Sequence, residues 1–288
     1  MEFSDLNIQQ GGVEVNGLRI AYQMVGDPNG DRVLALHGWL DNSASFSKLF
    51  PLLKDKYICA MDFAGHGLSD HRPAGTRYHQ IDHLYEIDGV LDHLGWDRCS
   101  IIGHSMGAGL GAYYTSVFPE RIARLILLEG LAPPSSPAEE APSILRKAIQ
   151  EHKKLAKKRR AVYSDYDDAV AARMMGAMKV SKEAAEVLCS RGLKQVEGGW
   201  TWRTDPRLMT TSSLRFTEEL IRSFLGQIKS PTMLVIASDG LLKHFPSLRE
   251  RVAQLDTFQI REIAGGHHFH LEDEAGQVAA EINRFWAE

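Results

Sequence analysis

The stretch Ile101-Ile102-Gly103-His104-Ser105-Met106-Gly107 constrains the fold more than any other part of the chain. It carries the pattern G-x-S-x-G between a short apolar run and a helix-compatible segment. A serine on a sharp strand-to-helix turn has its hydroxyl pushed out beyond the sheet, into a cleft. Gly103 and Gly107 suit such a turn because it is strained and strand and helix crowd one another there. The backbone N–H of Met106 then points to where a carbonyl oxygen would gain charge. A bare five-residue pattern also arises by chance, so the flanking elements and partner residues elsewhere have to agree with it.

The flanking pattern agrees. Val13 to Val15 and Leu18 to Gln23 flank Asn16-Gly17, a hairpin signal. Short apolar runs at Val33–Leu36, Tyr57–Met61, Ser100–Ile102 and Arg124–Leu128 read as buried strands. Helical patterns lie between them, clearest from Ile81 to Leu94 and from Ser105 to Phe118. Alternation of this kind predicts an α/β chain with a mostly parallel sheet covered on both faces. The pattern resumes with strands at Thr232–Ile236 and Phe258–Ile263 and a closing helix through Val278, Ile282 and Phe285.

The segment 131–227 reads differently, with helix starts but few strand-like runs. Ser136-Pro137-Ala138-Glu139 has the form of a capping box with proline at the first helical position. Ser181 and Thr217 each precede an acidic first turn, and Gly192 follows the first of these two helices. We therefore expect an all-helical insertion, a lid, at 131–227 within a core made of 1–130 and 228–288. Ligands of open parallel sheets bind beyond the carboxyl ends of the strands, where such a lid would sit.

Composition narrows the function classes. A chain of 288 residues with 44% hydrophobic residues can bury a real core with an insertion. A formal net charge of −4 gives no reason to expect nucleic acid or an anionic membrane as partner. No apolar run approaches the length of a membrane span. Cys59, Cys99 and Cys189 lack metal spacing, and the acidic N-terminus lacks the apolar core of a signal peptide. Both readings lead to an expected cytoplasmic location. No Rossmann fingerprint, P-loop or metal-ligand cluster stands out, so the expected chemistry uses no cofactor and no metal.

His37-Gly38-Trp39, the run from Asp62 through Gly67 to Asp70, Gly103–Gly107, and Gly266-His267-His268-Phe269 follow one another in this order. In that order they resemble the α/β-hydrolase fold superfamily over nearly the whole chain. Leu36–Asn42, Arg124–Leu128 and Arg203–Leu208 further resemble its serine hydrolase-like branch. The resemblance implies an eight-stranded type of sheet, Ser105 as nucleophile and a base in the loop after the last strand. His267, His268 and His270 are the candidates. Family spacing to the final helix, and a reading of the run as Gly-x-His-Phe, select His268, with His267 second and His270 structural or facing solvent.

The usual position of the acid falls on Gly240, with Asp239 one residue early. Leu127-Leu128-Glu129-Gly130 resembles instead the arrangement of haloalkane dehalogenases, whose acid ends the preceding strand. Glu129 is therefore the expected acid, with Asp239 as the alternative. The resemblance also makes the Trp39 backbone N–H the second oxyanion donor beside Met106, with the Trp39 indole either lining the acyl pocket or packed in the core.

Met174, Met175 and Met178 sit at helical spacing and either line the substrate path or pack the core. His66 and His104 read as packing and turn residues. The basic run Lys153–Arg160 reads as a solvated helix face.

These residues together lead us to expect a serine hydrolase that cleaves a small to medium hydrophobic carboxylic ester through an acyl-enzyme. The same catalytic set also serves thioesterases, lactonases, carbon–carbon bond hydrolases and perhydrolases. A different class, a receptor-like ligand-binding protein with low turnover, keeps the same residues. The oligomeric state is left open.

Overall fold

The computed structural model describes residues 7–155, 160–176, 178–253, 255 and 258–288. Its strands are β1 (Gln9–Val15), β2 (Leu18–Gly26), β3 (Asp31–Leu36), β4 (Lys56–Met61), β5 (Cys99–His104), β6 (Ile122–Leu128), β7 (Leu193–Val196), β8 (Gly199–Trp202), β9 (Thr232–Ala237) and β10 (Gln259–Ile263). Eight of them form one sheet in the order β1-β2-β4-β3-β5-β6-β9-β10. β2 runs antiparallel to both β1 and β4, and all pairs from β4 across to β10 are parallel. Asn16 and Gly17, both at positive φ, close the β1–β2 hairpin as their sequence requires.

Period-two alternation sends successive side chains to opposite faces, and both faces are buried. Ile101, Leu125, Leu127 and Leu234 pack on one side with α1 (His83–His93), α2 (Met106–Val117) and α6 (Glu218–Leu225). Ile102, Ile126, Leu128, Met233 and Val235 pack on the other, against Val278, Ala279, Ile282 and Phe285 of α9 (Ala275–Ala287). Their spacing along α9 makes one apolar stripe. Each such aliphatic side chain, fully buried, is worth about 1.5–3 kcal/mol. α7 (Leu241–His244) and α8 (Pro246–Val252) join β9 to β10.

Between β6 and β9 lie α3 (Ala141–Leu155), α4 (Tyr166–Met174), α5 (Lys182–Gly192), the β7–β8 hairpin and α6. The expectation of an all-helical insertion is corrected by that hairpin. Its two-residue turn is Glu197-Gly198, and a Cβ on Gly199 would lie 2.0 Å from the Tyr163 carbonyl oxygen. The cap expectations divide. Ser181 and Thr217 accept from the N–H of Ala184 and Leu220 as helix caps should. Gly192 is the last residue of α5 and does not stand beyond it. Ser136 caps nothing: a short 3₁₀ turn, Ala138–Glu140, precedes α3.

Ala169, Val170, Ala184, Ala185 and Leu188 form a separate small core within the insertion, which meets the sheet portion through buried Leu271. In the basic run, 156–159 lie outside the described residues. Among the described residues no helix is long and apolar enough to cross a membrane.

Candidate active site

The parallel arrangement brings the carboxyl ends of β3, β5, β6, β9 and β10 to one edge. Each is followed by a residue of interest: Trp39 after β3, Ser105 after β5, Glu129 after β6, Gly240 after β9 and His267 after β10. Ser105 has φ 52° and ψ −113°, a strained conformation for a side-chain-bearing residue. Its neighbours are glycines for a steric reason. A Cβ on Gly103 would lie 2.5 Å from the Gly107 carbonyl oxygen, and one on Gly107 would lie 2.1 Å from that of Leu36.

Ser105 and the β10 loop meet at hydrogen-bond distance. His267 Nε2 lies 2.9 Å from Ser105 Oγ, and its Nδ1 lies 3.4 Å from Glu129 Oε2. This corrects the sequence-based choice of His268. The His268 ring turns the other way, with Nε2 3.0 Å from Asp41 Oδ2. His270 is fully buried beside Phe46 and His104 and does not face solvent. Burial pushes the His267 imidazole below its ordinary pKa, and the Glu129 carboxylate partly opposes that. A neutral imidazole so placed can take a proton from the serine hydroxyl.

Glu129 is buried at φ 50°. Its Oε1 accepts from the Ala237 N–H at 2.6 Å and its Oε2 from the Leu241 N–H at 2.6 Å. These charge-assisted bonds answer the cost of burying the carboxylate. They also fix it where the loop after β9 would otherwise place a side chain. A Cβ on Gly240 would lie 1.9 Å from Glu129 Oε2. The carboxylate from β6 thus fills the space that an aspartate at 240 would need. Asp239 points away, exposed, with Lys243 Nζ at 2.6 Å holding its carboxyl below the usual range.

Met106 is the first residue of α2, where helix N–H groups lack intrahelical acceptors. Trp39 is 45% exposed, so it is not a packed core residue; its indole N–H donates to the Leu208 carbonyl at 3.0 Å. Two cavities meet at Ser105. The larger, about 460 Å³, is lined by Trp39, Met106, Gly109, Met178, Leu248 and the loop Leu208–Ser213, among others. The smaller, about 230 Å³, is lined by Trp39, Leu40, Ala172, Met178, Trp202, Met209 and His267, among others. Met178 borders both. Met174 instead packs in the small core of the insertion. Met175 is 74% exposed and lines neither, so the expectation that it borders the substrate path is corrected.

The resemblance motifs have structural explanations. Asp62 accepts from Ser43 N–H through Oδ1 and from Leu68 N–H and Arg191 Nε through Oδ2, all at 2.8 Å. A Cβ on Gly67 would lie 2.3 Å from Asp62 Oδ2. His37 Nε2 accepts from Phe63 N–H. His104 Nε2 lies 2.9 Å from the His267 carbonyl oxygen and donates to it, which steadies that loop. His66 packs beside His37 and His83.

The sequence reading missed Asp41 and Arg173. Arg173 of α4 puts Nη2 2.9 Å from Asp41 Oδ1. Burial would raise the Asp41 carboxyl, but the His268 ring and the Arg173 guanidinium overcome this and hold it well below the carboxylate range. Asp41, His104 and His268 have ligand atoms within 4.8 Å of one another and carry metal-ligand chemistry. The guanidinium already answers the aspartate charge, so the cluster reads as an ion-pair network between the β3 loop and the insertion. Nothing around Arg173 in the sequence marks it for this contact.

Residues 31–150 match the family model described as the alpha/beta hydrolase fold. The chain is 32% identical to serine hydrolase-like protein 2 of Homo sapiens, over 92% of this chain and 90% of that protein. It is 31% identical to the serine hydrolase-like protein of Danio rerio, over 87% of this chain and 80% of that one. Among solved structures, a hypothetical protein from Pseudomonas aeruginosa PAO1 superposes with a TM-score of 0.93 at 42% identity, covering 97% of this chain and all, 100%, of the other. The thioesterase domain from the curacin biosynthetic pathway superposes with a TM-score of 0.82 at 25% identity, covering 96% and 98%. With relatives aligned over nearly their whole length and this sheet beneath the serine turn, the chain belongs to the serine hydrolase-like branch of the α/β-hydrolase superfamily and is a hydrolase.

Proposed function

We propose that the chain hydrolyses a carboxylic ester or thioester through an acyl-enzyme on Ser105, with His267 as base and Glu129 as its orienting acid. The observation that carries this reading is the continuous line from Ser105 Oγ to His267 Nε2 at 2.9 Å and from His267 Nδ1 to Glu129 Oε2 at 3.4 Å. Ser105 Oγ attacks the carbonyl carbon as His267 takes its proton. The backbone N–H groups of Met106 and Trp39 receive the developing oxyanion. His267 then protonates the leaving oxygen or sulfur as the tetrahedral intermediate collapses. Water enters, loses a proton to His267 and attacks the acyl carbon; the acid departs and Ser105 regains its proton. No metal or organic cofactor takes part in this scheme.

The insertion acts as a lid in this reading. It supplies Met178, Trp202 and Met209 to the walls over Ser105. The thioester half of the proposal draws on the likeness to the curacin-pathway thioesterase domain. A fluorophosphonate probe and a panel of esters and thioesters test it. Wild type should be labelled and turn over at least one of them. Ser105→Ala should escape labelling and lose roughly 10⁴-fold or more in kcat while staying folded. Hydrolysis at the wild-type rate by that variant would overturn the assignment. An unlabelled, inactive wild type would favour the receptor-like reading.

A further inference from the structure

The two cavities at Ser105 differ in charge. In the smaller, the lining ions are Asp41 and Arg173, which neutralise one another, and the remaining walls are mainly apolar. The larger is lined by Arg77, Arg207 and Arg215 together with Thr210, Thr211, Ser212 and Ser213. Among the described residues no aspartate or glutamate lines it, in a chain whose formal net charge is −4. Arg207 is answered by Asp205 at 2.7 Å. Among the described residues Arg77 donates to the carbonyl oxygens of Gly75 and Thr76, which carry no net charge. Among the described residues neither Arg77 nor Arg215 has a carboxylate partner. Glu151 is not among the lining residues, and its carboxylate accepts from the Thr211 N–H at 2.7 Å. A further hollow of about 190 Å³ continues the cleft past Gln80, Pro133 and Arg215.

We propose that Arg77 and Arg215 form an anion-recognition subsite, so that the preferred ester has one apolar arm and one arm ending in a carboxylate or another small anion. The inference rests on the serine hydrolase reading above. The arms can be assigned from the base. His267 borders the apolar cavity and not the arginine-lined one, and His267 is the group that protonates the leaving oxygen. The leaving group therefore occupies the apolar side, and the anion sits at the far end of the acyl arm. Two guanidinium groups without a carboxylate partner among the described residues, in a cavity whose described lining holds no acid, raise the local concentration of such a substrate and hold its end. The contribution acts on binding and shows in KM more than in kcat.

Three aryl esters separate the possibilities: phenyl hexanoate, phenyl hydrogen adipate with a carboxylate on the acyl arm, and 4-carboxyphenyl hexanoate with one on the leaving arm. We expect kcat/KM for the adipate ester to exceed that for phenyl hexanoate by about tenfold or more at low salt. About 0.5 M salt should reduce that preference sharply. The Arg77→Gln, Arg215→Gln double variant should abolish it, bringing kcat/KM for the adipate ester down to that of phenyl hexanoate measured on the same variant. Both positions are exposed, so the variant keeps its fold. Equal values for phenyl hexanoate and phenyl hydrogen adipate, or a preference that survives the double variant, would overturn the subsite. A preference for 4-carboxyphenyl hexanoate would overturn its assignment to the acyl arm. Labelling of Ser105 by fluorophosphonate, with turnover of phenyl hexanoate, separates failure of this inference from failure of the hydrolase reading itself.

Discussion

Two adjacent histidines divide the work at this site, and the division turns on backbone geometry. His267 faces Ser105 and Glu129, whereas His268 faces Asp41 and Arg173. We expect His267→Ala to lose roughly 10⁴-fold or more in kcat, since it removes the proposed base. His268→Ala should cost roughly tenfold or less in kcat, because the Arg173–Asp41 pair survives it. Fluorophosphonate labelling rates on both variants check this; reversed sensitivities would return the base to His268. The serine was legible in the sequence because its glycines answer local sterics. The histidine was not, because family spacing to the final helix and the Gly-x-His-Phe reading of the run both select His268. The final helix does begin at Ala275, but its entry runs through short turns, including Leu271 N–H to the His268 carbonyl, that set the ring directions independently of that spacing.

Loops after two neighbouring strands compete for one space, and this is the element-scale counterpart. Gly240 follows β9 and Glu129 follows β6, and a side chain on the first would collide with the carboxylate of the second. The sequence showed both halves of this exchange: a glycine where the family's acid falls, and a glutamate one strand away. It could not show that they were one event, since the pairing of β6 with β9 is long-range. Glu129→Gln should lower kcat by roughly 10²- to 10⁴-fold, with Asp239→Asn nearly unaffected. Gly240→Asp alone should destabilise the protein and lose activity, because it forces two carboxyls together. Glu129→Gly combined with Gly240→Asp should recover part of the activity lost in Glu129→Gly, because Gly suits φ 50° at 129 and frees the space at 240. Kinetics on the three variants decide it; a double variant no better than Glu129→Gly would mean that the space does not suffice to exchange the acid. The insertion was less legible. Ser181 and Thr217 announced α5 and α6 as caps, but β7 and β8 are four residues each, too short for alternation to outweigh the helical signals around them.

Across the whole molecule, the carboxyl ends of the strands gather an unusual number of buried imidazoles. His37, His66, His104 and His270 are all buried, and burial lowers the pKa of each, well below the ordinary value for His66, His104 and His270. Neighbouring imidazoles add to the lowering: His37 and His83 act on His66, and His270 and His267 act on His104. In the unfolded chain these rings titrate near about 6.5. Below that pH the unfolded state binds protons that the folded state refuses, so the fold loses stability as pH falls. The contribution is fully present above about pH 6.5, and each such ring can cost up to about 1.4 kcal/mol per pH unit below it, until its folded pKa is reached. Asp41 and Glu86, whose carboxyls are held low in the fold, begin to matter only nearer the ordinary carboxylate range. We therefore expect the thermal midpoint to fall between about pH 7 and pH 5, before carboxylates titrate. His270 tests this without touching Ser105, His267 or Glu129, since it packs between Phe46 and His104. His270→Phe should flatten the decline over that interval relative to wild type, and a Tm that does not change from pH 7 to pH 5 in the wild type would refute the account. The same interval bears on catalysis with a separate sign: His267 must be neutral to act as base, and its lowered pKa keeps it so under mild acid. Activity measured at temperatures well below Tm should thus persist to a lower pH than an ordinary imidazole would allow, even as the fold around it weakens.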